Sequence, residues 1–378
     1  LPRIFWIIDL ALPAELPMDP CTIEWPTPER QAAFEEWLAR LTPRFCLQRN
    51  SLAPASADAS FRRYLRISGQ DRGPEGPLRT FIVMDAPPPE EDVRPFVKVA
   101  GLIRGAGLHA PEVLAGDEEH GFLLLEDLGG TLFLKALQAE PATGPGTRAD
   151  TLMRSALTAL VQFQKGVPAS ALPPYDEAVL RRELELFPQW CVKQEFGIGW
   201  NATEQGHWDR VSRLLIDSAL AQSVVAVHRD WMPRNLMVTE PESGLGPGIL
   251  DFQDALAGPI TYDFASLLRD AFISWDEEQE IDWAVRGWDA ARKAGLPVAE
   301  DFGEFWRQLE WMGLQRHLKV LGIFCRLKHR DGKPAYAEDL PRFFAYATKV
   351  ALRYRELAPL LKLLEPLSGA RVAAGFTF

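Results

Sequence analysis

The pattern of apolar and polar residues divides the chain into a shorter first part with strand-like segments and a longer, mainly helical remainder. Thr27 precedes a proline and an acidic residue, and apolar residues then recur at helical spacing, which predicts an amphipathic helix. Apolar segments at 61–67 and 80–84 flank a turn-rich stretch and predict an antiparallel pair of strands. A helix over 95–107 and a short strand over 121–125 follow.

Helical periodicity dominates after residue 146. Long amphipathic segments are predicted as helices at 177–193, 277–294, 301–328 and 339–364. One exception lies in the middle of the chain, where the apolar run 223–227 leads into His228. Two short apolar segments, 236–238 and 249–250, then flank a turn-rich stretch and predict a hairpin between helices.

Size and charge limit the classes of function. The 378 residues exceed what one compact core usually holds, so two domains are expected. The chain carries 41 basic and 52 acidic side chains, a net charge of −11, without a Lys/Arg block. This balance argues against nucleic acid and anionic membranes as partners, and by itself would suit a cationic one. No apolar stretch is long enough to span a bilayer.

The cysteines and the first residues indicate a cytoplasmic protein, which is expected to be a monomer. The apolar run 4–8 is interrupted by Asp9 and makes a poor secretory signal, and residues 1–17 are interpreted as an upstream extension. No C-x-x-C pair or zinc-site spacing occurs, so a reducing compartment is the simplest interpretation. The four cysteines are far apart in the sequence, at Cys21, Cys46, Cys191 and Cys325.

The most informative segment is the string H-R-D-W-M-P-R-N at 228–235, followed by Asp251 after the predicted hairpin. Phosphoryl transfer needs one carboxylate that orients the attacking hydroxyl and accepts its proton. It also needs oxygen ligands that hold Mg²⁺ on the nucleotide phosphates. Asp230 supplies the first group, and Asn235 and Asp251 supply the oxygen ligands.

The pattern H-x-D-x-x-x-x-N with a downstream aspartate resembles the protein-kinase-like superfamily, particularly its aminoglycoside phosphotransferase and choline kinase branch. The resemblance implies an α+β bilobal fold. A small N-terminal antiparallel sheet lobe over 1–128 would bind nucleotide, and a larger, mainly helical lobe over 129–378 would carry catalysis and the acceptor. Only a few residues separate Asp251 from the segment G-P-x-x-Y-D at 258–263, and no A-P-E motif occurs, which favours a small-molecule acceptor.

The same resemblance implies supporting and nucleotide-binding roles. His228 would pack the catalytic loop, and Asp263 would cap a helix and brace the loop. The turn at 57–61 would cover the phosphates, and ATP is the expected phosphoryl donor. The residues expected to bind nucleotide are Ser60, Phe61, Arg62, Arg63, Glu126, Leu128 and Met237.

The strand that ends at Asp85 aligns with the family strand that carries a phosphate-binding lysine, yet it contains no lysine. Either arginine at 62–63, or Lys98 on the following helix, could replace that charge, and each could equally be a surface cation. The segment 126–128 would be the hinge that binds adenine. Met237 would form the floor of the pocket or belong to the apolar core.

Several further strings resemble the anomeric kinases of bacterial cell-wall recycling. Those enzymes phosphorylate N-acetylmuramate and N-acetylglucosamine at C1, which implies an amino-sugar acceptor with ATP and Mg²⁺. A hemiacetal hydroxyl is more acidic than an ordinary alcohol, so a weak base suffices. The strings lie at 172–175, 183–188, 228–235, 250–255, 258–270 and 313–319.

The acceptor is expected to contact the helical part of the chain. Glu183 and Trp190, seven residues apart on a predicted helix, would recognise a hydroxyl and stack on the sugar, and Trp231 adjoins Asp230. A cluster of basic residues would bind the lactyl carboxylate of N-acetylmuramate. Its members are Arg316, His317 and Lys319.

Two other functions remain open at this point. An aminoglycoside or choline-type kinase would be expected to present acidic helices to its cationic substrate. A nucleotide-binding pseudokinase would explain the missing strand lysine, but the presence of Asp230, Asn235 and Asp251 argues against it.

Overall fold

The computed structural model describes residues 23–57, 61–71, 73, 75–140, 142–239 and 246–367. They form two compact units. The first comprises the described residues of 1–132 and 235–254, and the second those of 133–234 and 255–378. The segment 235–254 thus groups with the first unit, although it follows the string at 228–234 in sequence. The boundary expected after residue 128 had placed this segment in the larger helical lobe instead.

Most strands belong to the first unit, and most helices belong to the second. The strands are β1 (Gln48–Ala57), β2 (Arg63–Gln70), β3 (Leu78–Asp85), β4 (Val113–Asp117), β5 (Phe122–Glu126), β6 (Val224–Val227), β7 (Leu236–Met237), β8 (Gly248–Ile249) and β9 (Leu256–Pro259). The helices are α1 (Pro28–Phe45), α2 (Arg94–Gly105), α3 (Phe133–Ala139), α4 (Arg148–Gly166), α5 (Glu177–Leu184), α6 (Ala202–Leu220), α7 (Tyr262–Leu268), α8 (Glu277–Lys293), α9 (Phe302–Asp331), α10 (Leu340–Arg353) and α11 (Ala358–Leu364).

The first unit is built on a five-stranded antiparallel sheet with the order β1-β2-β3-β5-β4. The predicted start of α1 is confirmed, because the Thr27 side chain caps the helix by accepting a hydrogen bond from Arg30 N at 3.1 Å. Apolar residues of α1, including Phe34 and Trp37, pack against Phe81 and Phe122 of the sheet. The predicted antiparallel pair is confirmed as β2 and β3.

The predicted hairpin is also confirmed. Strands β7 and β8 pair antiparallel, with Leu236 opposite Ile249 and Met237 opposite Gly248. In the second unit, β6 pairs antiparallel with β9, so that Val227 lies opposite Leu256 at the point where the string at 228–235 begins. Helix α9 is the central element of the second unit, and all of its residues from 309 to 327 are buried.

Two predicted helices are interrupted. The segment 177–193 is helical only to Leu184, and a π-helix over Phe187–Glu195 follows. Pro188 lies at the start of that π-helix. Gly322 of α9 packs against Leu186 so closely that a Cβ added to the glycine would lie 2.3 Å from the leucine backbone. The segment 339–364 is divided into α10 and α11 by extended backbone at Tyr354.

Candidate active site

The loop that contains Asp230 is held by a buried aspartate. Asp263, in the first turn of α7, accepts hydrogen bonds from the backbone N–H groups of His228 at 2.7 Å and of Arg229 at 2.9 Å. Burial raises the pKa of Asp263 to about 7. Thr261, rather than Asp263, occupies the N-cap position of α7. The carboxyl group of Asp263 therefore fixes the loop backbone directly before Asp230.

Arg229 adopts a left-handed backbone conformation, with φ of 79°. This region is rarely used by residues other than glycine, asparagine and aspartate, and such conformations concentrate at functional sites. The guanidinium Nη2 of Arg229 donates a hydrogen bond to Glu183 Oε1 at 2.5 Å. The side chain of the following residue, Asp230, keeps 15% of its surface exposed.

Aromatic packing supports the same loop. The ring of His228 lies edge-on to Phe163 and to Trp231, with centroid distances of 6.1 and 5.4 Å. The indole of Trp231 is fully buried, and its Nε1 donates to the carbonyl of Ala156 at 3.3 Å. Both residues thus pack the loop from inside, and a contact of Trp231 with an acceptor stays a prediction.

Glu183 is buried among donors. Its carboxylate accepts hydrogen bonds from Arg229, Gln315 and the hydroxyl of Tyr175, and Lys319 Nζ lies 3.2 Å from Oε1. Burial by itself would raise the pKa of Glu183, but the charges of Lys319 and Arg229 and these hydrogen bonds lower it to about 2. The carboxylate is therefore ionised and occupied by protein groups, which differs from the acceptor contact expected.

The three basic residues expected to form one cluster on α9 each contact a different group. Arg316 Nη2 lies 3.9 Å from Asp230 Oδ1. Lys319 pairs with Glu183 and also donates to the Tyr262 hydroxyl at 3.0 Å. His317 lies 3.3 Å from the carbonyl oxygen of Arg269, and burial holds its pKa well below the ordinary value. His317 is therefore neutral rather than cationic, and Arg316 is the residue of the three that pairs with Asp230.

Trp190 lies on the π-helix and is partly exposed. Because α5 ends at Leu184, the seven-residue spacing does not put Trp190 and Glu183 on one face of a single α-helix. Sugar stacking by Trp190 stays a prediction.

The two residues expected to hold a metal ion are neighbours in the first unit. Asn235 ends a 3₁₀ turn, and Asp251 follows β8. Asn235 Nδ2 lies 3.3 Å from Asp251 Oδ2, and Leu250 N donates to the Asn235 carbonyl at 2.9 Å. Gln253 Nε2 donates to Asp251 Oδ1 at 2.9 Å. Asp251 itself has a φ of 60°, a left-handed backbone conformation of the kind that concentrates at functional sites.

This pair offers carboxylate and amide oxygens, the ligand type that Mg²⁺ prefers. Among the described residues, no group of three or more His, Cys, Asp or Glu side chains could hold a metal ion. Mg²⁺ in phosphotransferases is commonly bound by one or two carboxylates together with substrate phosphates, so the oxygen set of Asn235 and Asp251 fits this ion.

The cations that could replace the missing strand lysine differ in burial and in their ion-pair partners. Asp85, at the end of β3, forms ion pairs with both Arg30 and Arg63. Arg62 is 4% exposed, and its Nε lies 3.8 Å from Glu91 Oε2. Lys98 is exposed on α2. Among these candidates, Arg62 combines a buried position with a carboxylate partner before α2.

The other expected nucleotide-binding residues have different surroundings. Ser60 lies outside the described residues, and Phe61 is 59% exposed. Glu126 accepts hydrogen bonds from Arg104 and from Glu112 N, and its backbone N–H donates to the Glu112 carbonyl at 2.9 Å. Leu128 lies beside Gly248, where a Cβ added to the glycine would be 2.8 Å from the leucine Cδ1. Met237 is buried and forms an isolated antiparallel β-bridge with Leu132.

The sequence did not single out Asp270, a buried carboxyl group with three arginines in its electrostatic surroundings. Its Oδ1 accepts a hydrogen bond from Phe272 N at 2.5 Å, and Oδ2 has no hydrogen-bond partner among the described residues. Burial raises the pKa of Asp270 to about 6, and the arginine charges oppose this. The arginines are Arg234, Arg316 and Arg342. The string 258–270 contained this residue, but an Arg-Asp pair, which here directly follows α7, gave no signal of burial in the sequence.

Comparison with known proteins identifies related enzymes. The model of the phosphotransferase enzyme family (APH) matches residues 51–302. A Pseudomonas aeruginosa protein named N-acetylmuramate/N-acetylglucosamine kinase is 52% identical over 84% of this chain and 88% of its own length. Proteins of the same name from Pseudomonas putida and Neisseria meningitidis serogroup B are 49% and 44% identical. They cover 85% and 93% of this chain, and 90% and 100% of their own lengths.

Solved structures share the fold at low sequence identity. A GDP complex of an aminoglycoside 2'-phosphotransferase superposes with a TM-score of 0.54 at 12% identity, covering 83% of this chain and 99% of that one. A choline/ethanolamine kinase family protein from Mesorhizobium loti has a TM-score of 0.53 at 14% identity, covering 89% of this chain and 99% of that one. The expected α+β, protein-kinase-like fold is thereby confirmed.

Proposed function

The chain belongs to the phosphotransferase enzyme family, and we propose that it transfers the γ-phosphoryl group of ATP to the C1 hydroxyl of N-acetylmuramate or N-acetylglucosamine. The observation that carries this proposal is the identity of 44–52% to relatives named N-acetylmuramate/N-acetylglucosamine kinase, over 84–93% of the chain. The use of ATP and of free amino sugars would suit a cytoplasmic enzyme of cell-wall recycling that acts as a monomer.

Asp230 is the proposed general base. Its side chain keeps 15% of its surface exposed, in a loop whose backbone is held by Asp263, so it can meet a hydroxyl without a large rearrangement. The proton of the C1 hydroxyl moves to Asp230 as the sugar oxygen bonds to the γ-phosphorus and the bond from that phosphorus to the ADP oxygen breaks. Because a hemiacetal hydroxyl is relatively acidic, orientation of the hydroxyl is the larger part of the task.

Asn235 and Asp251 would hold Mg²⁺, which supplies positive charge to the phosphate oxygens as the reaction proceeds. Gln253 orients the carboxylate of Asp251 by a hydrogen bond at 2.9 Å. Arg62 is the proposed substitute for the strand lysine, and Glu91 is its countercharge. The backbone of 126–128 and the side chain of Met237 are proposed to bind adenine.

Arg316 is the proposed contact for the lactyl carboxylate of N-acetylmuramate. Its Nη2 lies 3.9 Å from Asp230 Oδ1, beside the proposed base. Arg binds carboxylates with strong charge-assisted hydrogen bonds. N-acetylglucosamine lacks this carboxylate and would be bound without that interaction.

An ADP-release assay tests the proposal across N-acetylmuramate, N-acetylglucosamine, N-acetylgalactosamine, choline and kanamycin. We expect turnover with the first two sugars and none with choline or kanamycin. Turnover with kanamycin and with no sugar would instead identify an aminoglycoside kinase. ATP binding without ADP release for any acceptor would indicate a pseudokinase.

A further inference from the structure

The buried carboxylate of Glu183 is bound to the loop that contains Asp230. Oε1 accepts a hydrogen bond from Arg229 at 2.5 Å and lies 3.2 Å from Lys319 Nζ. Oε2 accepts from Gln315 at 3.2 Å and from the Tyr175 hydroxyl. An ionised carboxylate has about four acceptor sites, so these four protein donors occupy its capacity. None of the surface of Glu183 is exposed.

Arg229 is constrained from two directions. Its backbone N–H donates to Asp263, and its side chain donates to Glu183. Between these anchors the backbone adopts a φ of 79°, a conformation that costs free energy and persists only when its surroundings enforce it. Since Arg229 and Asp230 share a peptide bond, the conformation of the arginine sets the direction in which the Asp230 side chain leaves the loop.

We infer that Glu183 is a positioning residue for phosphoryl transfer and acts on Asp230 through Arg229. The inference rests on the proposed function of Asp230 as the base. It assigns to Glu183 a task other than the acceptor contact that the sequence suggested. A fully buried carboxylate with four protein donors has no remaining site for a sugar hydroxyl, whereas it is well suited to fix a guanidinium in one place.

The first test separates positioning from acceptor binding. Glu183→Gln preserves the size of the side chain but removes its charge. We expect kcat to fall by about 10²-fold, the scale of a small misplacement of a catalytic group, with the acceptor KM unchanged within about twofold. A raised KM with unchanged kcat would overturn the inference, because that result is the signature of direct substrate binding.

A matched control comes from a second buried carboxylate of the same unit. Glu310 is fully buried and accepts hydrogen bonds from Arg269 at 2.9 Å and from Tyr354 at 2.5 Å. Glu310→Gln is expected to lower the melting temperature but to keep kcat per folded molecule close to that of the wild type. An equal loss of kcat in both variants would mean that Glu183 has only a general structural role.

The second test asks whether Glu183 acts through Arg229. Arg229→Gln is expected to lower kcat as Glu183→Gln does, and Arg229→Lys to retain more activity because it keeps a cation. In the double variant the two losses should not multiply, since one interaction has been removed twice. Multiplicative losses would show that the two residues act independently and would overturn the inference.

Hydrogen exchange provides a readout that does not require turnover. In Glu183→Gln, the amides of the peptide over 228–235 should exchange faster than in the wild type or in Glu310→Gln. If Glu183→Gln does not fold, Tyr175→Phe removes one hydrogen bond and leaves both ion pairs, and smaller changes in the same direction are expected. Unchanged exchange at this peptide would overturn the inference. A wild-type protein that phosphorylates no amino sugar would refute the proposed function alone.

Discussion

The guanidinium Nη2 of Arg316 lies 3.9 Å from the carboxylate Oδ1 of Asp230. Arg316 is placed there by α9, whose central residues are buried, and it is 3% exposed. The proposed acceptor carboxylate would thus be bound beside the proposed base. This arrangement favours an acidic sugar in spite of the net charge of −11, because local geometry rather than total charge determines which acceptor is bound.

Arg316→Gln is expected to discriminate between the two sugars. Loss of a charge-assisted hydrogen bond should raise the KM of N-acetylmuramate by roughly tenfold or more, with a much smaller change for N-acetylglucosamine. Steady-state kinetics with both sugars measure this difference. Arg307→Gln, on the same helix but 39% exposed and paired with Glu304, is the matched control and should change neither value. Equal effects on both sugars would contradict the assigned contact with the lactyl carboxylate.

Arg62 and Arg63 are adjacent but should differ in function. Arg62→Gln is expected to raise the KM of ATP by about tenfold, because a charge near the phosphates is lost, and to leave the acceptor KM unchanged. Arg63→Gln should instead lower the melting temperature, since Arg63 pairs with the buried Asp85. ATP titrations and thermal unfolding of both variants check the assignment. The reverse assignment would follow if only Arg63→Gln weakened ATP binding.

Asp251→Asn tests the metal ligands. The substitution keeps the shape but removes the charge that attracts Mg²⁺, so kcat should fall by about 10²-fold or more. Calorimetric titration gives a readout apart from turnover: Mg²⁺ should strengthen ATP binding to the wild type and have little effect on the variant. Asp254→Asn, nearby in sequence, is a control that should preserve the effect of Mg²⁺. An undiminished Mg²⁺ effect in Asp251→Asn would remove Asp251 from the metal site.

The buried carboxyl group of Asp270 should make stability depend on pH. Its pKa is raised by burial to about 6 in the folded protein, against an ordinary value of 3.8. Between these values the folded state holds a proton that the unfolded state has released, so this group's contribution to stability falls as the pH rises. Relative to the wild type, Asp270→Asn should gain up to roughly 3 kcal/mol of unfolding free energy across this window.

Urea unfolding of the wild type and of Asp270→Asn, at several pH values from about 4 to 7, measures this change. Asp282→Asn, an exposed aspartate on α8, is the control and should follow the wild-type pH dependence. A constant difference between Asp270→Asn and the wild type across the range would show that Asp270 does not titrate there.

The elements that the sequence predicted well are those with strong local signals. The cap at Thr27, the alternation of β2 and the two short apolar segments 236–238 and 249–250 depend on nearby residues, and they predict α1, the sheet and the β7–β8 pair. The string at 228–235 likewise predicts a loop between β6 and β7. The interruption of α5 depends on Gly322, far away in sequence, and local periodicity could not reveal it.

The partners of charged side chains were less predictable for the same reason. Arg316, His317 and Lys319 are close in sequence and suggested one cationic cluster. On a helix, however, adjacent residues such as Arg316 and His317 point in different directions, and α9 is buried on all sides in this region, so each side chain meets a different neighbouring element. Lys319 pairs with Glu183, and His317 lies beside the carbonyl of Arg269. Spacing identified the charged residues but not their partners.

Phosphorus NMR of the reaction products shows whether the phosphoryl group is transferred to C1. With N-acetylglucosamine and ATP, we expect a sugar 1-phosphate whose signal is coupled to the anomeric proton. The methyl glycoside of the same sugar, which has no free C1 hydroxyl, should give no product, and Asp230→Asn should reduce product formation from the free sugar by about 10²-fold or more. Phosphorylation of the methyl glycoside at the rate of the free sugar would contradict transfer to C1, because the phosphoryl group would then be transferred to another hydroxyl.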